Sequence, residues 1–325
     1  MRSYFYRKFF RQDMASPQII VVGSIITDLI SYTDVFPKPG ESKRGSNFKF
    51  NCGGKGANQA VSAAKLGSNV KMIACIGDDI FGKENVIKIK ESGVNVDGVL
   101  ICKENRTGVA SIMIDKNGEN ITVVNLGANL LMNVDKIRQI EDEIRKSSLV
   151  MLQNGISREG ILECMRIAQR NNVQVLYNGA PGIRDLDQEY LQLTDYFVVN
   201  ENEAECLSPV PLTSDNDFIM CAMKLIKIVK KAVIITRGSK STIVAIKDGN
   251  IECCQIMNDK VKAIDTNGAG DCFCGAFAHA IITNKFTIKD GVFFASKAAA
   301  LSVQKTGTQT SYPTIDEVNQ ILQII

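Results

Sequence analysis

Apolar runs of strand length alternate with amphipathic helical stretches, which predicts an α/β protein: a doubly wound, mostly parallel sheet with helices on both faces. Two stretches that break this rhythm add a small antiparallel β-sheet projecting from the main body. A third observation bounds the answer, since 325 residues suffice for one large domain carrying an accessory element.

In chain order, buried strands are expected at Ile19–Val22, Val70–Ile76, Leu149–Gln153, Val173–Tyr177, Tyr196–Val199 and Ala232–Thr236. Each is a short apolar run, the pattern of a strand covered on both faces. Helices are expected over Ala57–Leu66, Phe81–Ser92, Arg158–Asn171 and Phe218–Lys230, then over Gly268–Thr283 and Ile288–Gln304, with a short terminal one. Ser42–Asn51 alternates polar and apolar residues, and Val99–Val124 holds strand pieces punctuated by Asn117-Gly118, a hairpin signal. Neither stretch has a helix between its strands. They are read as lid strands inserted at about 25–51 and 98–124 of a domain spanning 17–325. Residues 1–16 are set apart as a flexible N-terminal extension. Its beginning is basic and aromatic with Asp13 as the one acid, so an upstream start, a tail and a mitochondrial presequence all stay open.

Composition removes several function classes. A net charge of +3 gives no reason to invoke nucleic acid, and no stretch approaches the roughly 18 uninterrupted apolar residues of a membrane span. The ten cysteines lack metal-ligand spacing and suit a reducing compartment with free thiols. His279 is the single histidine, which excludes a Ser-His-Asp or Cys-His hydrolase and an H-E-x-x-H zinc site. It lies in an apolar helical stretch and reads as a packed side chain.

Three segments carry chemistry. In Asp265-Thr-Asn-Gly-Ala-Gly-Asp271, glycines precede an aspartate that opens a helical pattern. Such a turn directs the backbone N–H groups of Gly268, Ala269 and Gly270 outward at the positive end of a helix, forming an anion hole for phosphoryl oxygens. Asp271 at its lip can take a proton from an attacking hydroxyl. In Asn51-Cys-Gly-Gly-Lys-Gly-Ala-Asn58 the paired glycines allow close ligand approach, while Lys55 and Asn58 supply donors for hydroxyls or phosphate. In Asn200-Glu-Asn-Glu203 the outer residues share a helical face and can orient hydrated Mg2+ and phosphate; a plain helix start is the competing reading. Gly77-Asp-Asp-Ile-Phe-Gly-Lys83 is no P-loop, because Glu84 stands where Ser or Thr is needed.

Together with Gly23-Ser-Ile-Ile-Thr-Asp28, Gly77-Asp-Asp79, Asn178-Gly-Ala-Pro181 and Thr236-Arg-Gly-Ser239, these segments closely resemble the ribokinase (PfkB-type carbohydrate kinase) family from Ile19 to Pro313. The resemblance implies a ribokinase-like fold and transfer of phosphate from ATP to a sugar, D-ribose at O5 in the leading reading. It implies that Asp28, Gly54, Lys55, Gly56, Ala57 and Asn58 hold the sugar and that Asp271 is the base. Asn200, Thr236, Arg237, Gly238, Ser239, Lys240, Ser241, Gly270 and Ser296 would then serve the nucleotide, and Glu203 would act on Mg2+ through water. An activating K+ would sit among Asp265, Asn267, Ser302, Lys305, Gly307 and Ser311. The same likeness implies a cytoplasmic enzyme, with nuclear residence open, and a homodimer formed through the lid. Two departures edit the sugar pocket. Gly155 follows Gln153-Asn154 where the family has Glu, and Ile26 stands where many bacterial members have Asn. A kinase for deoxyribose or another pentose, or a binding protein that no longer catalyses, are the alternatives.

Overall fold

The computed structural model describes residues 18–283 and 286–324; the N-terminal extension lies outside the described residues. Its large sheet grows from β1 (Gln18–Val22), which runs parallel between β4 (Asn69–Gly77) and β8 (Leu149–Gln153). On one side the parallel series continues through β9 (Gln174–Asn178), β10 (Tyr196–Asn200) and β11 (Ala232–Thr236). Alternate residues of β1 enter two separate cores. Ile19 and Val21 join the layer of α1 (Lys55–Lys65), α9 (Ala269–Ile282) and α10 (Ile288–Ser302). Ile20 and Val22 join the layer of α5 (Arg158–Arg170) and α8 (Asp215–Leu225). A strand buried on both faces has no polar side to show, so continuous apolar runs mark these strands. The remaining helices are α2 (Ile80–Glu91), α3 (Val134–Gln139), α4 (Glu141–Lys146), α6 (Gln188–Gln192), α7 (Glu201–Leu207) and α11 (Ile315–Ile324).

Two features of the main sheet depart from expectation. Residues 98–102, assigned to the lid, belong to β5 (Asn95–Cys102), which pairs parallel with β4 at the sheet edge. Its one-sided burial gives it the alternation of a lid strand, because only one of its faces is covered. At the other edge, β12 (Thr242–Asp248) and β13 (Asn250–Ile256) add an antiparallel hairpin around Gly249 that the strand reading passed over.

The lid is a sheet of β3 (Asn47–Gly53), β2 (Ile26–Tyr32), β6 (Gly108–Ile114) and β7 (Asn120–Asn125), in that order. Its outer pairings are antiparallel and its central β2–β6 pairing is parallel. The Asn117-Gly118 turn joins β6 to β7 as expected, with Gly118 at positive φ. Strand register sorts the lid residues by face. Asp28 shares a row with Asn51, Ala110 and Val124, while Phe48 and Phe50 lie on the opposite face with Leu29, Ile121 and Val123. Among the described residues no helix is long and apolar enough to cross a membrane.

Candidate active site

The carboxyl ends of β1, β8, β9, β10 and β11 open toward the N-termini of α1, α7 and α9, the position where open α/β sheets bind ligands. The Asp265–Asp271 segment sits there. Gly268 caps α9 in the left-handed region (φ 75°), and a Cβ on it would lie 2.3 Å from Thr308 Cγ2 and 2.5 Å from Tyr312 Oη. No side chain caps this helix. Ala269 N–H reaches back to the Thr266 carbonyl at 3.3 Å, and among the described residues the N–H of Gly270 has no protein acceptor. The helix start thus leaves the Gly270 N–H free toward the cavity, while that of Ala269 is engaged with Thr266.

Asp271 is 6% exposed, and its two oxygens are held by different amides. Asn58 Nδ2 donates to Oδ2 at 2.9 Å and Gln59 Nε2 to Oδ1 at 3.0 Å. Each amide is held in turn from behind. Gln309 Nε2 donates to Asn58 Oδ1 at 2.9 Å, and Gln153 Nε2 donates to Gln59 Oε1 at 2.9 Å. Gln59 Nε2 also reaches Asn178 Oδ1 at 3.2 Å. Gln59, Gln153 and Gln309 carry no role in the sequence reading. The first two lie inside segments whose other residues carry the chemistry, and nothing local marks Gln309, which is 251 positions from its partner.

On the acceptor side, Asp28 leans over Gly53, where a Cβ would lie 2.4 Å from its Oδ2. Burial first, and the neighbouring Asp271 charge second, push the Asp28 carboxyl up to about 6. Gly54 turns the chain at φ 93°, with Ser24 O and Ile26 N too close for a side chain. Lys55 lines a cavity of about 150 Å³ with Asn200, Glu203, Thr266, the glycine turn and Asp271. Two expected sugar contacts sit otherwise. Gly56 packs its backbone against Gly23 and Ser24, and the Ala57 side chain is fully buried in the core. Asn58 turns its amide nitrogen to Asp271 and its oxygen to Gln309. Ile26 shares the Asp28 face of the lid and is 7% exposed, yet it belongs to neither apolar core. Gly155 lies against Ser24, whose Oγ would be 2.5 Å from a Cβ there, so a Glu at this position needs Ser24 to move.

Asn200 and Glu203 form a capping box. Asn200 Oδ1 accepts from Glu203 N, and the Glu203 oxygens accept from Asn200 N at 2.9 Å and Nδ2 at 3.1 Å. The helix-start reading is met, and the ligand reading is compatible with it. Burial raises the Glu203 carboxyl, with Asn200 and the Lys55 charge opposing. With both oxygens already accepting, contact with Mg2+ through a water suits Glu203 better than direct ligation.

A cleft of about 520 Å³ continues from the turn, lined by Asn200, Thr236, Gly238, Ser239, Gly270 and Ser296. The Ser296 hydroxyl is buried on this wall without a partner among the described residues, which fits a contact to a planar base. Three expected nucleotide residues do not line the cleft. Arg237 is 3% exposed and points inward, bonded to Asp215 at 2.6 Å and Glu201 at 3.3 Å with its guanidinium over Phe218. Lys240 pairs with Glu201 at 2.9 Å, and Ser241 donates to Gln255 at 3.1 Å. Asn258, which the sequence reading missed, pins the loop by donating to the Gly238 carbonyl at 2.9 Å.

The expected cation positions lie on the loop before α9, at the end of α10 and on the loop after it; Asp265 joins the two loops, its Oδ2 accepting from Gly307 N and its Oδ1 from Asn267 N, both at 3.0 Å. Ser302 and Ser311 are buried, their hydroxyls turned to the Ala299 and Thr308 carbonyls. The Lys305 ammonium is taken up by Glu317. One carboxylate among hydroxyl and carbonyl oxygens suits a large monovalent ion better than a hard divalent one. As for thiols and histidine, all ten cysteines are free and His279 meets Ser68 at 2.8 Å.

A glycine turn at a helix N-terminus, a buried carboxylate beside it and a cleft leading away define a phosphotransferase of the α/β class. Residues 16–315 match the family described as pfkB family carbohydrate kinase. The chain belongs to that family and is a sugar kinase. It is 35% identical over 309 residues to the deoxyribokinase of Salmonella typhi, covering 94% of this chain and 99% of that one. It is 38% identical over 310 residues to the ribokinase of Schizosaccharomyces pombe, covering 93% and 96%. The structure of Arabidopsis thaliana ribokinase complexed with ribose and ATP superposes with a TM-score of 0.87 at 28% identity, covering 95% and 99%.

Proposed function

We propose that the chain phosphorylates a pentose at its primary hydroxyl using MgATP, with D-ribose at O5 the leading acceptor. The observation that carries this is the buried Asp271 carboxylate, held by two amides beside the N–H groups of the Gly268 turn. The sugar oxygen attacks the γ-phosphorus while its proton passes to Asp271. The bond from that phosphorus to the β–γ bridging oxygen breaks, and ADP leaves. Gly268, Ala269 and Gly270 receive the charge on the transferring oxygens, and Lys55 adds positive field from the sugar side. Adenine occupies the cleft at Ser296. When bound, Mg2+ draws charge from the phosphates, with Glu203 holding one of its waters. A K+ held at the Asp265 loops would add positive field behind the turn.

A second reading changes only the acceptor, to 2-deoxyribose. Ile26 favours it, because an apolar wall on the Asp28 face gives a ring hydroxyl no partner. A site that must bond a hydroxyl strongly rejects the analogue lacking it, whereas an apolar wall discriminates only modestly. ADP release measured across ribose, deoxyribose, other pentoses and fructose, with and without K+, separates the readings. Ribose kcat/KM at least tenfold above every competitor selects the first, and deoxyribose at or above ribose selects the second. No turnover on any sugar sinks both.

A further inference from the structure

We propose that Gln309 is a positioning residue for the transfer step: its donation to Asn58 Oδ1 keeps the donor end of that amide on Asp271 throughout the reaction. The inference rests on Asp271 being the base. An amide side chain is two-ended, and the carboxylate charge alone favours the donor end of Asn58 facing Asp271. Once the carboxylate has taken the proton, that charge is gone and nothing in the pair itself prevents the amide from turning over. The bond from Gln309 Nε2, 2.9 Å long and with Gln309 8% exposed, joins two neutral amides and so does not depend on the Asp271 charge. It therefore fixes Asn58, and through Asn58 the plane of the Asp271 carboxyl.

Gln309 is placed to do this because its own segment is clamped at several points. Lys65, at the end of α1, donates to the carbonyls of Gln309 at 2.7 Å and Tyr312 at 3.2 Å. Tyr312 Oη donates to the Gly268 carbonyl at 3.1 Å. Gln309 Nε2 also lies 3.5 Å from Cys52 Sγ at the root of the lid. Residues 309–312 thus brace the base through Asn58 and the glycine turn through Gly268. On the other carboxylate oxygen, Gln153 holds Gln59 in the same way.

Gln309→Met and Gln309→Leu keep the side-chain bulk and remove the donor. Either is expected to lower kcat about tenfold or more with the nucleotide KM within about twofold, since only a donor acting on the reacting group is lost. In the Asn58→Ala background the same substitutions are expected to change kcat no further, because the group they act through is gone. Wild-type kcat in either folded variant overturns the inference, and so does a full additional loss on top of Asn58→Ala. If one variant does not fold, the other and the cycle decide. Asp271→Ala is the control for the underlying reading, with an expected loss of about 10²–10⁴ in kcat. Near-normal turnover there removes the base itself, whereas an inactive Asp271→Ala beside normal Gln309 variants removes only the role of Gln309.

Discussion

Asp28 stands in a conflict of purposes that its titration should expose. A carboxylate suited to accepting sugar hydroxyls lies in a buried spot beside the charge of Asp271, and both press its carboxyl from the ordinary 3.8 to about 6. In the unfolded chain it ionises at the ordinary value, so between the two values folding takes up a proton. Stability therefore falls as pH rises through that window, and the cost is complete above about pH 6. Asp28→Asn removes the cost. We expect the variant to be more stable by about 1–2 kcal/mol at pH 8, after allowance for partial exposure, and no more stable near pH 4. Its KM for sugar is expected to rise at least tenfold, a stabilising change that costs function. Thermal unfolding at the two pH values with sugar kinetics at pH 8 checks it; equal stability at pH 8 refutes the burial account. At this scale the sequence was most legible where chemistry and backbone coincide. Gly268 and Asp271 announce themselves because the turn needs glycine at its left-handed position and the helix start attracts anions. Gln59, Gln153 and Gln309 do not, because an amide acquires its role from a partner far away in the chain.

The corner where β11 meets α7 and α8 shows how an element can override a motif. Thr236-Arg-Gly-Ser239 borders the nucleotide cleft, so Arg237 reads as a nucleotide-binding residue. Strand alternation points it the other way. Its guanidinium ties the first turns of α7 and α8 to the end of β11 through Glu201 and Asp215, where acids already favour the helix dipoles. Arg237→Met is expected to lower unfolding free energy by about 1–3 kcal/mol, and the nucleotide KM should shift less than about threefold. A KM rise above tenfold with unchanged stability would return Arg237 to the nucleotide. The central strands were legible because burial on both faces leaves an apolar run. β12 is buried on both faces, with Ile243 and Ala245 in one core and Val244 and Ile246 in the other, so its apolar run meets the same rule and the strand reading simply passes over it. The edge strand β5 is misread for the converse reason. One covered face produces alternation, and alternation is shared with the lid.

For the molecule as a whole, the lid presents two very different faces. One carries Asp28 and Ile26 toward the reaction; the other carries Leu29, Phe48, Phe50, Ile121 and Val123 in adjoining cross-strand rows. Only the root of that second face is covered, where α2 places Asn85 against Cys52 and Lys88 over Phe50. Beyond it Phe48 is 58% exposed and Val123 60%, on a strand, β7, that is exposed along its whole length. A flat apolar sheet with an open edge pairs with another sheet unless something blocks it, and among the described residues nothing of this chain covers it. A second copy offers the matching surface, since a two-fold axis brings the same apolar rows together. We therefore expect a homodimer through the lids at micromolar concentration. Val123→Glu places a charge on that apolar face of each subunit, twice over by symmetry, and should give a monomer that keeps its fold. Sedimentation velocity of both proteins decides the matter: a wild-type monomer, or a dimer that survives Val123→Glu together with Phe48→Glu, rules the lid interface out. Because β2 joins both faces, dimer loss should also raise the sugar KM while leaving the nucleotide KM in place. That asymmetry separates a lid interface from one elsewhere on the chain.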